Sequence, residues 1–152
     1  MPIEWIALVK ELPSLIKDLG GLITSSRATK NLLLSELKNN LKQFENAKKA
    51  PLSYDQLITI LSNEQMLVAR KSGFAFSLIK IGRIQEKHII DKRNKRYIGK
   101  DCEWLFISIS DKIDELKKIQ SQKSLNEIDK LNIPLQFSNL FFKMKLLAEF
   151  IR

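Results

Sequence analysis

Apolar side chains recur at three- and four-residue steps along most of this 152-residue chain, a spacing that suits α-helices and little else. The N-terminal stretch shows it first, with Trp5, Leu8, Val9, Leu12, Leu15, Ile16, Leu19, Leu22 and Ile23 on one face. Lys10, Glu11, Ser14, Lys17 and Asp18 fall on the other. The pattern resumes at Leu33, Leu37, Leu41 and Phe44. Pro13 and the pair Gly20-Gly21 interrupt it, so the spacing predicts one long kinked helix or two helices meeting near Gly20 to Arg27. Two Val residues and five Gly leave little material for strands and tight turns, whereas 42 Leu and Ile are ample for one core.

Local signals divide the rest. Ser53-Tyr54-Asp55-Gln56 reads as a capping box that opens a second helix through Leu57, Ile60, Leu67, Phe74, Leu78 and Ile81. Asp101 reads as the N-cap of a third helix through Leu105, Ile109, Ile113 and Leu116. Ser124-Leu125-Asn126-Glu127 reads as a further capping box, and Pro134 as a first-turn residue of a last helix using Leu135, Phe141, Leu146, Leu147 and Phe150. The expected fold is all-α: a four- to five-helix bundle with a long kinked N-terminal helix, residues 1–152 forming one domain. The apolar run up to Ile151 fits a natural terminus or a piece of a longer chain.

Charge is unevenly placed. The chain carries a formal +9, and the stretch Arg70 to Lys100 holds ten basic residues against only Glu86 and Asp91. The remainder is close to neutral, so the excess is regional and acts over a Debye length of roughly 8–10 Å. On the second helix Lys80, Arg83 and Lys87 would form a basic stripe leading into Lys92, Arg93, Lys95, Arg96 and Lys100, with Tyr97 available for stacking. Such a tract suits phosphates, contacted without base readout, and makes nucleic acid the first expected partner and an acidic protein surface the second. Function is therefore expected to be that of a non-enzymatic interaction module. A subunit or adaptor role in a protein assembly is an alternative.

Signals for chemistry are few. One His, His88, and one Cys, Cys102, cannot build a multi-histidine or zinc site, so no metal and no cofactor is expected. Cys102 beside Trp104 and Leu105 reads as a buried core residue, and its solitude excludes an intrachain disulfide. No phosphate loop or dinucleotide fingerprint exists among the scattered glycines. The segment Arg83-Ile84-Gln85-Glu86-Lys87-His88 resembles the Arg-x4–6-His motif of HEPN ribonucleases, which are small all-α bundles. That resemblance implies metal-independent RNA cleavage, with His88 and Arg83 acting at the 2′-hydroxyl and scissile phosphate. On an unbroken helix the five-residue offset turns the two side chains roughly 140° apart, so they meet only if Gly82 ends a helix or copies pair.

Residues 2–23, amphipathic with Trp5 at the start and Gly20-Gly21 as a hinge, resemble in style the releasable N-terminal helix of membrane-perforating cell-death bundles. Any apolar remainder on this helix would also suit pairing between copies of the chain. Glu4, Lys10 and Glu11 break up a signal-peptide pattern, and the longest charge-free run, Leu131 to Phe142, is twelve residues. Spanning a bilayer takes ~20, so no transmembrane segment is expected and a cytoplasmic protein is.

Overall fold

A computed structural model describes residues 4–24, 28–50, 52–128 and 130–152. Among these lie six α-helices, with short 3₁₀ turns in the connections from α4 onward: α1 (Leu12–Leu22), α2 (Ala28–Lys49), α3 (Tyr54–Ile60), α4 (Glu64–Ser72), α5 (Cys102–Gln122) and α6 (Ile133–Ile151). There is no strand in the described residues, only an isolated antiparallel bridge between Arg83 and Asp101. The fold is all-α, as the spacing requires. No helix of the described residues is long and apolar enough to cross a membrane.

The N-terminal region is two helices preceded by a 3₁₀ run, Glu4–Glu11, and the break lies between Leu22 and Ala28. Pro13 does not kink a helix. It sits in the first turn of α1, where its missing N–H has no helical partner to lose. Arg27 lies outside the described residues. The apolar face of this region is spent inside the bundle: Trp5, Val9, Leu12, Leu15 and Leu19 are buried. Trp5 packs edge-on to Phe44 of α2 at 5.0 Å and lies 5.5 Å from Phe141 of α6. Aromatic pairs at these separations add about 0.5–1.5 kcal/mol beyond their area burial.

Helix α6 is the central element, apolar on nearly every side, with Phe137, Leu140, Phe141, Leu146, Leu147 and Ala148 fully buried. Asn132, in left-handed conformation at φ 44°, accepts from the Leu135 N–H at 3.3 Å, and Pro134 occupies the first turn. Cys102 is buried at the start of α5, where burial pushes its thiol up to about 12.

The expected second helix is corrected. It breaks at Leu61–Asn63 and ends at Gly73, whose φ of 72° is a left-handed cap. Ser53 and Gln56 form the capping box of α3 as anticipated. The break itself is held by α2. Glu36, nearly buried, accepts from the backbone N–H groups of Gln65 (2.8 Å) and Met66 (3.2 Å) and from the Ser62 hydroxyl (2.9 Å). It thus caps α4 from another helix and sets a negative charge at its N-terminus. Asn40 pairs with the Ser62 backbone in both directions, at 2.8 and 2.9 Å. Asn63, buried, donates to Ser110 and to Asp114 on α5. Ser124 also departs from expectation, since its hydroxyl donates to Asp55 rather than capping the turn Leu125–Glu127.

Glu36→Ala would strip α4 of its cap and leave two buried amides unmet. The expected loss is roughly 1–3 kcal/mol of stability, read from urea unfolding followed by circular dichroism.

Candidate anion-binding surface

The basic excess lies on the connection between α4 and α5. From Ile79 to Asp101 no α-helix forms in the described chain, only 3₁₀ turns at Glu86–His88 and Lys92–Tyr97. The helical stripe expected for Lys80, Arg83 and Lys87 is therefore corrected. Gly82 at φ 89° and Gly99 at φ 91° take conformations that L side chains rarely adopt, and they fold the connection back on itself. Ile84 is buried, its N–H donates to Lys100 O at 2.8 Å, and the Gly99 N–H donates to Ile84 O at 2.8 Å.

Successive anchors then tie the connection to α6. Asp91 accepts from Lys145 at 2.8 Å. Arg93 lies 4.1 Å from the Phe142 ring centroid and donates to Asn139, which also accepts from Arg96 at 3.3 Å. Asn94 is fully buried. Lys80 sits 5.6 Å from the centre of the Phe150 ring, and His88 meets that ring edge-on at 4.9 Å.

Tyr97 is the second correction. It is buried, 5.6 Å from Trp104, with the Arg96 guanidinium 5.0 Å from its ring centre, so it packs the interior and offers no face for stacking. The aromatic that stays partly exposed beside these cations is Trp104, half-buried at the start of α5. Lys100 lies 4.9 Å and Lys143 6.0 Å from its ring centre. Burial, helped by Lys112 and Arg96, lowers the Lys143 pKa. A shallow cleft beside Trp104 is lined by Lys112 and Lys143 but also by Asp111 and Glu115, a mixed wall with no single charge preference. Sequence spacing could not single out Trp104 or Lys143, because both sit in runs that read as core.

Arg83 and His88 are not brought together. Arg83 donates to Gly99 O at 2.9 Å, and His88 Nδ1 accepts the Gln85 N–H at 2.9 Å. That bond places the imidazole proton on Nε2. Burial, then Lys87 and Lys80, lowers the His88 pKa, so the ring is neutral at pH 7. No hydrogen bond or ion pair joins the two side chains. Among the described residues no group of His, Cys, Asp and Glu could hold a metal ion.

The outward-facing cations are Arg83, Lys87, Lys92, Lys95, Arg96 and Lys100. Within the described residues no ion pair links any of them to a carboxylate, whereas Arg70, Lys112 and Arg152 each have one. Comparison with protein-family models, with curated proteins and with solved structures gives no match to this chain.

The firmest anchor is Lys145. Its side chain is buried on α6 amid Asp91 (2.8 Å), Glu149 (3.2 Å) and Glu11 (3.5 Å). Burial works to lower its pKa, but the Asp91 hydrogen bond and the three carboxylate charges together raise it, so the lysine stays charged. Lys145→Met would leave buried carboxylates without their cation. The expected loss is about 3–5 kcal/mol in denaturant unfolding, with partial recovery on adding Glu149→Gln.

Burial also raises Glu149 from 4.5 to about 7, against the opposing pull of Lys145. Between those two values the folded state holds a proton that the unfolded chain has released. The contribution of Glu149 to stability therefore falls as pH rises from about 4.5 through about 7 and levels off above. Glu149→Gln is expected to flatten that part of a melting-temperature profile against pH.

Proposed function

We propose that this chain is a non-enzymatic helical interaction module that engages an anionic partner through the cations of residues 80–100. One observation carries the reading: Lys87, Lys92 and Lys95 are exposed without a carboxylate partner in the described residues, on a connection fixed from within. A solubilising surface needs cations dispersed and balanced by acids. Here they crowd onto one ordered excursion, and a surface dense in phosphates or carboxylates supplies the missing countercharge. Arg93 and Tyr97 serve the fold of that excursion, while the neighbouring lysines face solvent. With Tyr97 inside, a nucleic acid would be held by its phosphates, giving weakly specific and strongly salt-dependent binding.

The test is retention on immobilised heparin, together with anisotropy of a short single-stranded RNA at two salt concentrations. Lys87→Glu/Lys92→Glu/Lys95→Glu is expected to weaken binding by at least tenfold at low salt. It should also reduce the slope of log affinity against log salt by roughly two, at ~0.7 per lost single-strand phosphate contact. A wild-type protein that flows through heparin and leaves RNA anisotropy unchanged at low salt would overturn the reading.

A further inference from the structure

Nine large aliphatic side chains stand exposed among the described residues, and four of them fall on the same basic excursion: Leu78, Ile81, Ile90 and Ile98. That stretch of 21 residues is a small share of the 152, so the coincidence calls for a cause. Ile81 is the extreme case at 81% exposure, with Ile90 at 55%. Isolated exposed aliphatics are ordinary on any surface, but these alternate with cations. Ile81 lies between Lys80 and Arg83, Ile90 between Lys87 and Lys92, and Ile98 between Arg96 and Lys100.

One ring of α6 keeps two of these groups together: Lys80 and His88 both meet Phe150, at 5.6 and 4.9 Å, so the segments bearing Ile81 and Ile90 share one end of that helix. The Arg83–Asp101 bridge and the paired bonds between Ile84 and residues 99–100 close the turn that follows Ile81. The Asp91–Lys145 ion pair fixes the chain next to Ile90. The excursion is thus ordered, and its aliphatics are not held out by slack chain.

Resting on the anionic-partner reading, we infer that this excursion docks on the surface of a bilayer rich in anionic phospholipid, its lysines on the headgroups and Ile81 and Ile90 dipping into the interface. Phosphates alone reward the cations and leave the aliphatics in water. A nucleic acid therefore accounts for half of the surface. A bilayer accepts both at once, because headgroups meet the charges while the acyl boundary below takes side chains at any spacing. Lysines can spread their methylene stems over the same boundary with the ammonium kept at the headgroups. No described helix crosses the membrane, so the attachment is peripheral and reversible. Each cation near an anionic surface is worth about fivefold in partitioning, and each dipped isoleucine several-fold more.

The experiment is co-sedimentation with phosphatidylcholine vesicles, with and without roughly a third phosphatidylglycerol. Heparin retention and RNA anisotropy are measured on the same samples. Wild type is expected to bind the anionic vesicles and not the neutral ones. Ile81→Ser/Ile90→Ser, at positions exposed enough to leave the melting temperature unchanged, is expected to weaken vesicle binding about tenfold while heparin retention stays. Lys92→Glu/Lys95→Glu is expected to lose both. Vesicle binding unaltered by the serine pair would overturn the inference, leaving charge attraction alone. Heparin or RNA binding without vesicle binding would also overturn it and leave the anionic-partner reading standing. Failure on heparin and RNA would remove the anionic-partner reading and this inference with it.

Discussion

One buried ammonium holds three parts of this structure in register. Lys145 projects from the most apolar helix of the bundle and meets Glu11 from the N-terminal run, Asp91 from the basic excursion and Glu149 from its own helix. An unpaired charge at that depth would cost several kcal/mol, so the lysine is tolerable only when the carboxylates arrive. The converse also holds. Three acids crowd one cation, and burial raises Glu149 to about 7, so below that pH the cluster sheds one of its negative charges by taking up a proton there. The N-terminal segment and the excursion are thereby coupled, although no helix joins them.

The excursion divides its side chains between two tasks, and the division explains how a segment without an α-helix keeps a fixed shape. Ile84, Asn94 and Tyr97 go inward, Asp91 to Lys145, Arg93 to Phe142 and Asn139. The residues between them, Lys87, Ile90, Lys92, Lys95 and Ile98, go outward. Along the 3₁₀ turn Lys92–Tyr97 the period of three sets Asn94 and Tyr97 on the inner side and Lys92 and Lys95 on the outer. Order in the loop is thus supplied by a minority of its residues, and the remainder are spared for contact with something else.

Much of the fold was legible in the sequence wherever a local rule and the tertiary structure agree. The three- and four-residue spacing of α1, α5 and α6, the Ser53–Gln56 box and the Asp101 cap each rest on contacts within a few residues. The second helix failed because its break is not local. Leu61–Asn63 carries no proline and no glycine, and what stops the helix is a carboxylate and an amide on α2, 22 to 30 residues earlier. Partners that distant leave no periodic trace. The regional charge was legible for the same reason the break was not, since counting residues needs no contacts.

The candidate surface shows the same limit in finer grain. Tyr97 and Trp104 are both aromatics beside lysines, and nothing in their spacing says which one stays partly exposed. The choice is made by Ile84, Gly82 and Gly99, which close the excursion into a paired turn and rotate Tyr97 inward. Ile81 was hidden by the opposite error: read as part of a helical face, it belongs to a core, and only loss of the helix exposes it. A pattern that is apolar and basic at once is ambiguous in sequence between a buried stripe and an interfacial surface. Backbone geometry decides, because the same isoleucine stabilises a bundle when the helix runs on and faces outward when a left-handed glycine turns the chain.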